Sequence, residues 1–138
     1  MTTVHDDVAI NKAATIRKCL KCIDDEYAGQ TSRLRDNITV QDAIVLNLQR
    51  ACEAAIDLAM HLVRTKRLGT PQTSRDAFAR LAKDGELDAQ LATELAKMVG
   101  FRNIAIHDYQ SLDLDIVTSI LDAKLVYLSN FASWAEQQ

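Results

Sequence analysis

From Thr39 to Val63 the apolar residues Val40, Ile44, Leu48, Cys52, Ala55, Ile56, Ala59 and Val63 recur at intervals dominated by three and four. That spacing matches the helical turn and not the two-residue repeat of a strand. Neither glycine nor proline interrupts it, so the stretch predicts one unbroken helix of about seven turns. Thr39, with Asp42 three residues on, supplies a capping signal at its start.

The remaining segments follow the same period. Ala13, Ile16, Leu20, Ile23 and Tyr27 form one face of a first helix from Val8 to Tyr27, which "AGQTSRLRDN" breaks. "LGTPQTS" holds the only proline and reads as a loop, after which Ser74 caps a short helix through Ala82. "KDGEL" turns the chain, and Asp88 caps a fourth helix with its stripe at Leu91, Leu95 and Met98. "QSLD" separates this from a fifth, Leu114 to Trp134. Four glycines and one proline in 138 residues, with few aromatics, agree with an all-α chain. The expected architecture is an up-and-down helical bundle of four long helices plus a short third one, a single domain over residues 1–138.

No apolar run approaches the roughly 20 residues that span a bilayer, and "MTTVHDDVAINKAATIRKC" lacks the features of a secretory signal. A soluble, cytoplasmic protein with no membrane association is expected. Cys19, Cys22 and Cys52 are an odd set that predicts reduced core cysteines rather than disulfides. "CLKC" finds no second ligand pair among Cys52, His5, His61 and His107, so no metal site is expected. The net charge of −3 argues against nucleic-acid binding by bulk charge and leaves room for a local basic patch. Arg17, Lys18 and Lys21, or Arg64, Lys66 and Arg67, either track an RNA backbone or form solvated helix faces, the simpler reading.

"GFRNIAIHDY", Gly100 to Tyr109, places an arginine, a histidine and a tyrosine in an apolar segment. At about 100° per residue Arg102 falls on the centre line of the fourth helix's stripe, Tyr109 returns to within about 20° of it, and His107 stands about 140° round. Either the helix loosens before His107, or arginine and histidine meet their counterparts across a symmetric dimer seam. A cation on a core line needs a cleft, an interface or a partner. The plainer alternative is an arginine that reaches water or pairs with Glu53 or Asp57. For His107 alone the ordinary reading is structural, or a charge near a helix C-terminus, and for Tyr109 an amphipathic core edge.

These residues resemble a known family. "RNIAIHDY" fits the Arg-x4-His signature of the HEPN ribonucleases, including the polar Asn103 after the arginine. The extended Arg-x4-His-x-Tyr form is similar to that of HepT-type toxins, which pair with minimal nucleotidyltransferase (MntA-like) antitoxins in prokaryotic toxin-antitoxin systems. "NKAATIRKC", "QDAIVLNLQRACEAAIDLA", "LGTPQTSRDAF" and "KMVGFRNIAIHDYQ" resemble segments of that family in the same order.

The resemblance implies metal-independent endoribonuclease activity on RNA, with no cofactor, in a homodimer. A neutral imidazole at His107 suits removal of the ribose 2′-hydroxyl proton. The Arg102 guanidinium suits the charge that develops on the phosphorane oxygens. Asn103 is a supporting donor or positioner, and Asp108 either orients an imidazole or faces water. The resemblance further implies that Tyr109 accepts AMP from ATP through the partner enzyme, which places charge beside Arg102 and neutralises the toxin. The competing function is a catalytically silent helical partner of a nucleotidyltransferase or nucleotide.

Overall fold

The computed structural model describes residues 6–28, 30–107 and 114–138, with side chains over the same stretches except Thr31 and residues 102–107. Among them the chain forms seven helices: α1 Asp7–Tyr27, α2 Thr31–Asp36, α3 Ile38–Thr65, α4 Ser74–Asp84, α5 Ala89–His107, α6 Leu114–Ala123 and α7 Leu125–Glu136. The helical bundle expected from periodicity is present, with two differences in the element count. The break after α1 contains the short α2, and the expected fifth helix is two.

Both differences have local causes. In α2, six residues bury Leu34 completely against the core, so tertiary packing stabilises a helix too short to persist alone. At the α6–α7 junction, Val117, Leu121 and Leu128 lie on one buried line, and the next position of that line between them is Lys124. Its amine cannot enter an apolar core unpaired. The helix breaks there, and Lys124 reaches Glu94 of α5 at 3.1 Å.

The caps also shift. Asn37, not Thr39, caps α3 by accepting from Val40 N at 3.1 Å. Thr73, not Ser74, caps α4 by accepting from Asp76 N at 3.0 Å. The Asp88 cap is as expected, its carboxylate accepting from Leu91 N at 2.9 Å. In the loop before α4, Gly69 adopts a φ of 99°; a Cβ there would stand 2.5 Å from Arg80 Nη1, the atom that donates to the Leu68 carbonyl at 3.1 Å.

α3 is the central element, with α1, α4, α5 and α7 packed around it. Phe78 of α4 meets Phe131 of α7 edge to face at 5.5 Å, and Phe131 stacks on Trp134 at 6.0 Å. Cys19 and Cys52 are buried and Cys22 half-buried, all three free thiols; burial foremost pushes the Cys19 thiol up. Among the described residues no helix is long and apolar enough to cross a membrane.

Candidate functional site

α5 buries Ala92, Leu95, Met98, Val99 and Phe101. Its backbone stays α-helical through His107, so the loosening considered for this segment does not occur before the histidine. The positions of Arg102 and His107 therefore keep their separation of about 140° around the axis and about 7.5 Å along it. The side chains of Arg102, Asn103 and His107, and the whole of Asp108 and Tyr109, lie outside the described residues.

The two helices that flank this segment are held by ties the sequence reading missed. Glu94, its side chain 13% exposed, accepts from Lys124 at 3.1 Å and pairs with Lys97 at 3.5 Å. The Lys124 hydrogen bond foremost holds the Glu94 carboxyl below its ordinary value. Lys124 Nζ also stands 5.6 Å from the Tyr127 ring centroid. α6 is fixed by Tyr27 Oη donating to Asp122 at 2.9 Å and by the Arg35–Asp115 ion pair. A usable signal existed for Lys124, a charge on an otherwise apolar line, but nothing in the sequence names its counter-ion.

The two basic clusters separate. Arg17 donates to both oxygens of Glu136, at 2.9 and 3.2 Å, and to Ser133 at 2.9 Å, which ties α1 to α7. Lys21 pairs with Asp25 at 3.2 Å. Arg64, Lys66 and Arg67 cluster at the C-terminal end of α3, where orphan carbonyls favour cations. Leu68 packs beside Gly85 just before α5 begins, so these cations mark the end of the bundle where α5 starts, not where it carries Arg102 and His107. Asp57, one candidate counter-ion for Arg102, pairs with Lys12 at 3.3 Å, and the Arg102 side chain lies outside the described residues.

The chain has relatives in sequence and in fold. Residues 15–134 match the family described as ribonuclease HepT-like. The chain is 48% identical over 126 residues to the mRNA nuclease HepT of Shewanella oneidensis, covering 91% of this chain and 94% of that protein. It is 35% identical over 66 residues to the tRNA nuclease HepT of Aphanizomenon flos-aquae, covering 48% of this chain and 45% of that protein. Its fold superimposes on the tri-AMPylated Shewanella oneidensis HEPN toxin in complex with MNT antitoxin with a TM-score of 0.89, at 45% identity, covering 96% of this chain and 99% of the other. A toxin-antitoxin crystal structure with AMP-PNP gives 0.90 at 44% identity, covering 96% and 100%. Matched over nearly its whole length in sequence and in fold, the chain belongs to the ribonuclease HepT-like family.

Proposed function

We propose that this protein is the toxin of a toxin-antitoxin pair, an endoribonuclease that cleaves RNA without a metal ion. The observation that carries the reading is the Arg102-x4-His107-x-Tyr109 set in the sequence, with the Arg102 and His107 positions on the closing turns of α5, in a chain matched to the ribonuclease HepT-like family over residues 15–134. His107 takes the proton of the ribose 2′-hydroxyl as that oxygen attacks the adjacent phosphorus. Arg102 donates to the non-bridging oxygens as their charge grows. Asn103 supports it as a second donor, and Asp108 lies beside the imidazole position in sequence. The products are a 2′,3′-cyclic phosphate and a 5′-hydroxyl.

One histidine does not readily serve as base and acid in the same step. The helical register, which sets Arg102 and His107 about 140° apart, supports a site built from two copies of the chain in a homodimer. A partner nucleotidyltransferase, like the MNT antitoxin that accompanies the related toxin, adds AMP to Tyr109 and thereby denies the Arg102 cation to RNA. The direct test is incubation of unmodified protein with RNA in chelator beside His107→Ala. Cleavage by the wild type alone is expected; equal cleavage by both removes the histidine from the mechanism, and cleavage by neither favours a silent binding partner.

A further inference from the structure

A groove of about 620 Å³ runs between α4 and α5. Ala79 of α4 and Ala92 and Ala96 of α5 line it together with Arg75, Lys83 and Lys97, and among the described residues no carboxylate is in its lining. In a chain of net charge −3 the charged side chains that line the groove itself are all cations, with Glu94 beside Lys97 and Asp76 and Asp84 lining the neighbouring cavity that shares Ala79 and Lys83. The cations are available. Arg75 Nε donates to the Ala96 carbonyl at 3.3 Å, which lays the guanidinium across α5 with Nη2 3.4 Å from where a Cβ on Gly100 would stand. Lys97 pairs with Glu94 at 3.5 Å while remaining 67% exposed, an ion pair weak enough to exchange for a phosphate.

The groove leads to the proposed site. Ala89, Ala96 and Gly100 fall within about 40° of one another around α5, and continuing the register brings Asn103 to within about 60° of Gly100 and His107 to within about 20°. The Gly100 and His107 positions are about 10 Å apart along the axis. The Arg102 position falls about 160° from Gly100 around the axis.

We propose that this groove binds single-stranded RNA and leads the strand toward His107, an inference that rests on the ribonuclease reading above. Phosphates take the three cations, while ribose and base faces lie on the alanine lining, which lets the strand approach closely. The cations that line the groove favour a polyanion as its occupant.

The test uses a short fluorescein-labelled 2′-O-methyl RNA oligonucleotide, which lacks the attacking hydroxyl and so separates binding from cleavage. Full-length wild type is compared with the triple variant Arg75→Gln/Lys83→Gln/Lys97→Gln and with Arg64→Gln/Lys66→Gln/Arg67→Gln as a control. The groove variant is expected to bind about tenfold more weakly and, with about 0.7 ions released per phosphate contact on a single strand, to lower the slope of log affinity against log salt by about 2. The control variant keeps both. Ala79→Leu, which fills the groove and retains every charge, is expected to weaken binding with the slope unchanged, and matching thermal melts guard against misfolding. Unchanged affinity and slope in a folded groove variant overturn the proposal. So does a groove variant that keeps RNA but loses the partner nucleotidyltransferase, which assigns the groove to protein. Failure of the catalytic reading appears separately, as wild-type cleavage by His107→Ala.

Discussion

Asp6 and His61 meet across the start of α1 and the end of α3, with His61 Nε2 2.7 Å from Asp6 Oδ2. The same carboxylate caps α1 by accepting from Ala9 N at 3.0 Å. One side chain therefore both satisfies an orphan donor of the first helix and pins that helix to the central one.

The pH dependence follows from this double role. Burial disfavours the Asp6 charge, but the hydrogen bonds from Ala9 and His61, the attraction of His61 and the Val8 N–H outweigh it, and its pKa lies below the ordinary 3.8. A depressed carboxyl pKa contributes stability that is present above the unfolded value and lost as pH falls through the folded one. Asp6→Ala should cost about 1 kcal/mol near neutrality, and the gap between wild type and variant should narrow as pH drops below 3.8. Urea unfolding at neutral and acid pH measures it; a gap that stays constant would show that ionisation of Asp6 contributes nothing.

Arg102→Ala should abolish RNA cleavage and growth inhibition as completely as His107→Ala, with the helical circular dichroism signal nearly unchanged. Arg102 is placed on charge that exists only in the transition state, and loss of one such donor typically costs about 100- to 1,000-fold in rate. Retention of cleavage within a few-fold of wild type would remove Arg102 from the site.

Light scattering at micromolar concentration should find a two-fold dimer. A mixed dimer carrying Arg102→Ala in one subunit and His107→Ala in the other should regain part of the activity that either homodimer lacks, because a composite site needs one intact copy of each. A purely monomeric protein, or mixed dimers as inactive as their parents, would place both residues in one self-sufficient subunit.

Tyr109→Phe should keep most ribonuclease activity, since the phenol is not the base, and should escape neutralisation by the partner nucleotidyltransferase and ATP. Intact mass spectrometry should show AMP-sized additions on the wild type and none on the variant. Equal labelling of both would move the modification elsewhere, whereas an inactive but folded Tyr109→Phe would bring the tyrosine into the catalytic set.

The helices were legible because helix formation leaves a local record. A stripe such as Val40, Ile44, Leu48, Cys52 states both the period and the buried face, and Asp88 states its own cap because the donor it satisfies is three residues away. The Arg102-x4-His107-x-Tyr109 set, on which the proposed site rests, is read from the sequence alone, since its members lie within one segment. What only the tertiary structure decided depends on residues distant in sequence. The break at Lys124 exists because Glu94, thirty residues earlier, stands where the amine needs a counter-charge. α2 exists because a core is there to receive Leu34. Arg17 reads as a free surface cation until Glu136 arrives from the other end of the chain. The groove between α4 and α5 has no signature at all, since alanines separated by a turn announce neither the space they leave nor the Arg75 guanidinium laid across Ala96. Periodicity and capping are short-range and written in the sequence. Charge pairing and cavity shape are long-range, and folding alone brings their parts together.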